Sequence, residues 1–147
     1  MRADLYEELI LDHYRQPRNR GPLPDANAQA EGYNPLCGDQ VRVCVRLRGD
    51  VIEQVAFEGQ GCAISTASAS LMTESVRGKT LADARALCER FHLLLTAGPA
   101  AVPLAELGKL AAFASVWRYP ARVKCATLAW HALEAALRGT DRTASTP

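Results

Sequence analysis

Apolar positions recur at helical spacing at the start of the chain, where Leu5, Tyr6, Leu9, Ile10 and His13 share one face until Pro17 breaks the pattern, so a helix is predicted over residues 3–14. The stretch from Arg15 to Glu31 is rich in Pro, Asn and Gly and predicts an irregular connection. The period then changes to two. Val41, Val43, Val45 and Leu47 alternate with Arg42, Cys44, Arg46 and Arg48, as in a half-buried strand, and after a Gly49-Asp50 turn Val51, Ile52, Val55 and Phe57 mark its returning partner. Residues 28–33 add a third strand.

Helical patterns fill the second half. Cys62 to Val76 reads as a helix of small residues that packs closely against a neighbour, and Gly78 ends it. Thr80 with Asp83 begins the next helix in the manner of a capping box, with Leu81, Ala84, Cys88, Phe91 and Leu95 on one face and Gly98-Pro99 at its end. A further helix is expected from Pro103 to residue 117, a Pro-containing connector over 118–123, and a last helix over 125–138. The polar tail 139–147 is expected to be disordered. Strands first and helices afterwards predict one α+β domain over residues 1–138, a small antiparallel sheet of about three strands with helices packed on one face.

Composition narrows the function. The chain has 147 residues, and at that size roughly 68–70% of the unfolded surface is buried on folding, so a bound metal is expected to serve chemistry rather than hold the fold together. A formal net charge of +1 supplies no broad field for nucleic acid or an anionic membrane, and neither is an expected partner. The charged start has no secretory h-region and no stretch spans a bilayer, so the expected location is the cytoplasm, where thiols stay reduced. Five cysteines in that setting leave metal binding, catalysis or passive burial as their roles.

Three of the five stand at junctions between elements. Cys37 lies in Asn34-Pro35-Leu36-Cys37-Gly38-Asp39, a turn sequence that presents a thiol next to a carboxylate. Cys62 follows Gly59-Gln60-Gly61 at a strand-to-helix junction, where backbone N–H groups favour a thiolate. Cys125 follows Arg122 and Lys124 at the expected start of the last helix, and both features would lower its pKa. Their spacing is far wider than in local CxxC pairs, which leaves open whether they converge on one site. The glycines before Cys62 lack the Gly-Lys-Ser/Thr of a phosphate loop, which argues against nucleotide binding. Cys88 falls on an apolar helix face and reads as core, and Cys44 as a strand passenger. No His adjoins any of the three junction cysteines, which disfavours an independent Cys-nucleophile hydrolase. His13 opens an unusual polar run and is read as part of a partner-docking surface.

Four segments together resemble the NifU/IscU iron–sulfur scaffold family, and most closely its SufU branch. They are residues 11–21 (LDHYRQPRNRG), 34–39 (NPLCGD), 59–65 (GQGCAIS) and 122–130 (RVKCATLAW), and the resemblance spans roughly residues 4–138. Lys124 stands where IscU-type proteins carry a His, the segment between Cys62 and Cys125 is longer, and the chaperone-docking motif is not matched, all of which favour the SufU branch. The resemblance implies the same α+β fold and a site in which Cys37, Asp39, Cys62 and Cys125 bind Zn²⁺, with Gly38 and Gly61 allowing close backbone approach. It implies a persulfide acceptor, Cys37, served by a PLP-dependent (SufS-like) cysteine desulfurase, with Arg122 and Lys124 as electrostatic support and downstream iron–sulfur assembly or acceptor proteins as further partners. The alternative it carries is a scaffold on which Cys37, Cys62 and Cys125 ligate iron or a transient [2Fe–2S] cluster.

Overall fold

The computed structural model describes residues 3–139 and 143–145. Helix α1 (Ala3–Arg15) leads into strands β1 (Ala28–Asn34), β2 (Asp39–Arg48) and β3 (Val51–Gln60). Helices α2 (Ala63–Val76), α3 (Leu81–Ala97) and α4 (Pro120–Leu137) follow, and strand β4 (Thr143–Ser145) closes the order. The side chain of Leu5 lies outside the described residues, as do residues 1–2, 140–142 and 146–147.

The sheet order is β3-β2-β1-β4. Its first three strands are antiparallel, and the period-two pattern explains why: Val41, Val43 and Val45 all turn inward against the helices, while Arg42 on the opposite face pairs with Glu31 of β1. The polar tail, expected to lack structure, instead supplies β4, which pairs parallel to β1 and makes the sheet four-stranded.

Helices α2 and α4 pack on the sheet and on each other, and the small residues of α2 make that close approach feasible. Ser68 Oγ donates to the Ala126 carbonyl at 2.6 Å and accepts the Trp130 indole N–H at 3.1 Å, so the polar atoms of this seam are satisfied inside the core. Trp130 in turn stacks near Phe91, which meets Phe113 edge-on at a centroid distance of 5.6 Å. Thr80 caps α3 by accepting the Asp83 N–H at 3.1 Å, as its sequence position predicts.

Two helix expectations are corrected. Residues 99–118 are not one helix from Pro103 but four short 3₁₀ turns, Pro99–Ala101, Leu104–Glu106, Gly108–Phe113 and Val116–Arg118. Leu107, Leu110, Phe113 and Val116 are all buried and fall three residues apart, the repeat of a 3₁₀ turn rather than of an α-helix, and Gly108 at φ +57° breaks any continuous run. The second concerns the connector at 118–123. Helix α4 already begins at Pro120, which occupies the first turn where its missing N–H is no loss, while Arg122 and Val123 both donate to the Tyr119 carbonyl.

A segment of the expected irregular connection lies along β3. Phe57 donates to the Asn19 carbonyl at 3.0 Å and accepts from Gly21 at 2.9 Å. Arg18 N–H donates to Ser70 Oγ and Asn19 Nδ2 to Thr73 Oγ1, so the segment is held to α2 as well.

Candidate metal centre

The β1–β2 connection is a hydrogen-bonded turn. Gly38 N–H donates to the Asn34 carbonyl at 2.8 Å, Leu36 N–H donates to Asn34 Oδ1 at 3.2 Å, and Gly38 adopts φ +72°, a conformation that suits glycine. This geometry holds Leu36 and Cys37 at the surface and turns Asp39 inward, where it is 1% exposed.

At the β3–α2 junction Cys62 is the N-cap of α2, and its Sγ accepts the Ser65 N–H at 3.4 Å. Its backbone N–H donates to Asp39 Oδ1 at 3.1 Å. Gly61 makes the approach feasible, because a Cβ there would lie 2.9 Å from Asp39 Oδ1 and 3.0 Å from Ser65 Oγ. Gly38 contributes through its conformation instead, since a Cβ there would meet nothing within 4 Å.

Helix α4 brings the third sulfur. Cys125 Sγ lies 3.7 Å from Cys37 Sγ, and Asn34 Nδ2 approaches it at 3.9 Å. Cys125 is buried in the second turn of α4, not at its start, so the expected lowering of its pKa is reversed. Burial first, then the Asp39 carboxylate and the Cys62 sulfur beside it, push its thiol far above the ordinary thiol range.

One ligand atom from each of Cys37, Asp39 and Cys125 falls within 4.8 Å of the others. Asp39 Oδ2 is buried and has no hydrogen-bond partner among the described residues. A buried carboxylate oxygen left unpaired is costly, and a cation held by the adjacent sulfurs is a partner of the right charge. Two thiols and a carboxylate are a donor set that suits Zn²⁺ or iron. Of the four donors that the resemblance implies, Cys37, Asp39 and Cys125 lie close together, and the Cys62 sulfur acts as the cap of α2.

The other sequence candidates separate cleanly. Arg122 is exposed with its guanidinium 4.5 Å over the Tyr119 ring and Lys124 is half-buried; neither makes a hydrogen bond or ion pair with a site residue among the described residues. Cys88 is buried, and desolvation pushes its thiol up to about 12. Cys44 is also buried rather than solvent-facing, with its thiol raised by burial.

His13 is not a surface residue but a buried one, and its reading as a docking element is corrected. Nδ1 meets Ser70 Oγ at 2.7 Å and Nε2 faces Glu74 at 3.4 Å. This Ser-His-Glu order is structural: Ser70 is fully buried and already accepts the Arg18 N–H. Asn34 is the site residue the sequence reading passed over, and its signal was the Asn-Pro step, a frequent turn initiator.

The NifU-like N terminal domain profile matches residues 5–126. The chain is 43% identical over 130 residues to the zinc-dependent sulfurtransferase SufU of Bacillus subtilis (strain 168), covering 88% of this chain and 87% of that protein. It is 40% identical over 134 residues to the iron–sulfur cluster assembly scaffold protein IscU of Streptococcus pyogenes serotype M1, covering 91% and 83%. Among solved structures, a protein described as a SUF-system iron–sulfur cluster assembly scaffold from Fervidobacterium islandicum AW-1 superposes with a TM-score of 0.84 at 36% identity, covering 93% of this chain and 99% of that one.

Proposed function

From the chain's membership of the NifU-like N-terminal domain family, we propose that it is a zinc-dependent sulfur acceptor in iron–sulfur cluster assembly, charged by a PLP-dependent cysteine desulfurase of SufS type. The observation that carries this reading is the buried Asp39 carboxylate, within 4.8 Å of the Cys37 and Cys125 sulfurs and with one oxygen that has no hydrogen-bond partner among the described residues. Cys37, Asp39, Cys62 and Cys125 are the proposed ligands, and when bound Zn²⁺ keeps thiols deprotonated and protected from oxidation. Three thiolates and a carboxylate carry more negative charge than the ion offsets. Arg122 and Lys124, in the first turns of α4, supply a positive counter-field at the rim.

Cys37 is the acceptor in this scheme because it is exposed on a pinned turn, while Cys125 is buried and the Cys62 sulfur caps α2. Its thiolate attacks the outer sulfur of the desulfurase's cysteine persulfide. One S–S bond forms as the other breaks, the desulfurase cysteine leaves as a thiolate, and no external oxidant or reductant is consumed. The reducing cytoplasm is the matching compartment. Among the described residues no helix is long and apolar enough to cross a membrane.

The second reading is a scaffold for a [2Fe–2S] cluster that is passed to downstream apo-proteins, supported by the IscU relative and by a donor set in which a carboxylate would leave a cluster labile. Metal analysis of freshly isolated protein together with a desulfurase assay tests the first reading. Tight zinc and increased desulfurase turnover support it; absence of stimulation, with a reconstituted cluster transferable to an apo-ferredoxin, replaces it by the second.

A further inference from the structure

Leu36 is the most exposed large hydrophobic side chain among the described residues, at 73%. Its exposure is imposed by a built turn rather than by a loose loop end. Pro35 fixes the backbone before it, its own N–H is tied to Asn34 Oδ1, and Gly38 N–H closes the same turn onto the Asn34 carbonyl. None of those bonds requires a leucine, and a polar residue would serve the turn as well and cost less in water.

Its chain neighbour is Cys37, and consecutive Cα atoms are about 3.8 Å apart. A protein that brings a persulfide within bonding distance of the Cys37 sulfur therefore has to close over position 36. We infer that Leu36 is the docking anchor of this chain, received by an apolar socket on the cysteine desulfurase beside its persulfide-bearing cysteine. This rests on the proposed sulfur-acceptor function and adds to it the chemistry of the partner's surface. A rigid apolar anchor next to the reacting atom loses little conformational freedom on binding, and such anchors dominate the energetics of interfaces. Leu36 also sets partner choice, because a desulfurase with charged groups at that point would have to bury them against a leucine.

The test uses the zinc-loaded full chain and a SufS-type desulfurase with L-cysteine. Affinity is titrated for the wild type, Leu36→Ser and Leu36→Met, with zinc content and the oligomeric state of each chain alone measured in parallel. Burial of a leucine that is about three-quarters exposed predicts a Kd about five- to fortyfold weaker for Leu36→Ser, with half-maximal stimulation shifted by the same factor. Leu36→Met stays within about threefold of the wild type. Wild-type affinity in Leu36→Ser overturns the inference and leaves the proposed function standing. So does a result in which Leu36→Ser only dissolves a self-association of the chain, which would make a second copy the occupant. A wild-type chain that neither binds nor stimulates the desulfurase overturns the proposed function and the inference with it.

Discussion

The backbone N–H of Cys62 donates to Asp39 Oδ1 across 3.1 Å, so the cap of α2 and the first residue of β2 hold each other in place. One carboxylate oxygen ties the two loops together, and the other is buried without a hydrogen-bond partner among the described residues, in a group within 4.8 Å of the Cys37 and Cys125 sulfurs. That division of labour separates two substitutions. Asp39→Asn keeps an oxygen able to accept from Cys62, whereas Asp39→Ala loses both the tie and the donor. Competitive zinc titrations should rank wild type above Asn above Ala, with the Ala variant weakened by more than the roughly 10–100-fold typical of losing an outer-sphere partner. Equal affinities for Asn and Ala would mean that Oδ1 positions nothing.

Gly61 acts through the same carboxylate. Its φ is not positive, so alanine fits the backbone, and the added methyl would press on Asp39 Oδ1 and Ser65 Oγ. Gly61→Ala is expected to fold normally and to bind zinc about 10–100-fold more weakly, with an altered visible spectrum of the Co²⁺-substituted protein. Added to Asp39→Ala it should cost little more, since both changes strike one interaction.

Cys37→Ala should abolish stimulation of the desulfurase while leaving the far-ultraviolet circular dichroism and melting cooperativity intact, because its side chain is exposed and supports no core packing. Undiminished stimulation would move the acceptor role to Cys62 or Cys125.

Chelation should leave a cooperatively melting protein. The aromatic cluster of Phe91, Phe113 and Trp130 and the inward valines of β2 form a core that does not include the metal centre. Zinc then raises Tm only by its binding linkage to the native state. Outright unfolding on chelation, followed by circular dichroism, would contradict this.

Acid should weaken the metal-free fold through His13. Burial first, and the nearby Arg18 next, hold its pKa below the ordinary value of 6.5, against the opposing pull of Glu74 and Asp12. The folded state thus favours the neutral ring. Its contribution is complete above pH 6.5 and is lost as pH falls through the lowered value, because the unfolded chain takes up the proton first. His131 is shifted in the same direction by burial. Melting temperatures between pH 5 and 7.5 should fall toward acid, and the slope should flatten in His13→Gln without vanishing.

The strands and the site loop were legible because each rests on local chemistry. Alternating Val41, Val43 and Val45 define an inward face whatever packs on it, and Asn-Pro and Gly-Asp bracket the Cys37 turn through their own backbone preferences. The 3₁₀ segment was misjudged because apolar residues three apart are compatible with either helix type over a few turns, and Gly108 decides between them. Cys125 differs through its helix boundary: α4 starts five residues earlier, at Pro120, and carries Cys125 into a buried turn, where burial first and then Asp39 and Cys62 raise its thiol. The place of His13 on the apolar face of α1 is compatible with burial, but its partners were not readable, since Ser70 and Glu74 lie far along the chain on α2.

The Asn19 and Gly21 bonds to Phe57 carry a consequence for behaviour at high concentration. Strand β3 is the last strand on its side of the sheet, and an uncovered border strand offers its amides to any other extended chain. Here that template is occupied midway by Asn19 and Gly21, and at its beginning by Lys79 and Gly78, which bond to Ile52. The proline- and arginine-rich connection therefore works as a guard against aggregation, and the exposed thiols of Cys37 and Cys62 can face solvent without the sheet beside them recruiting neighbours.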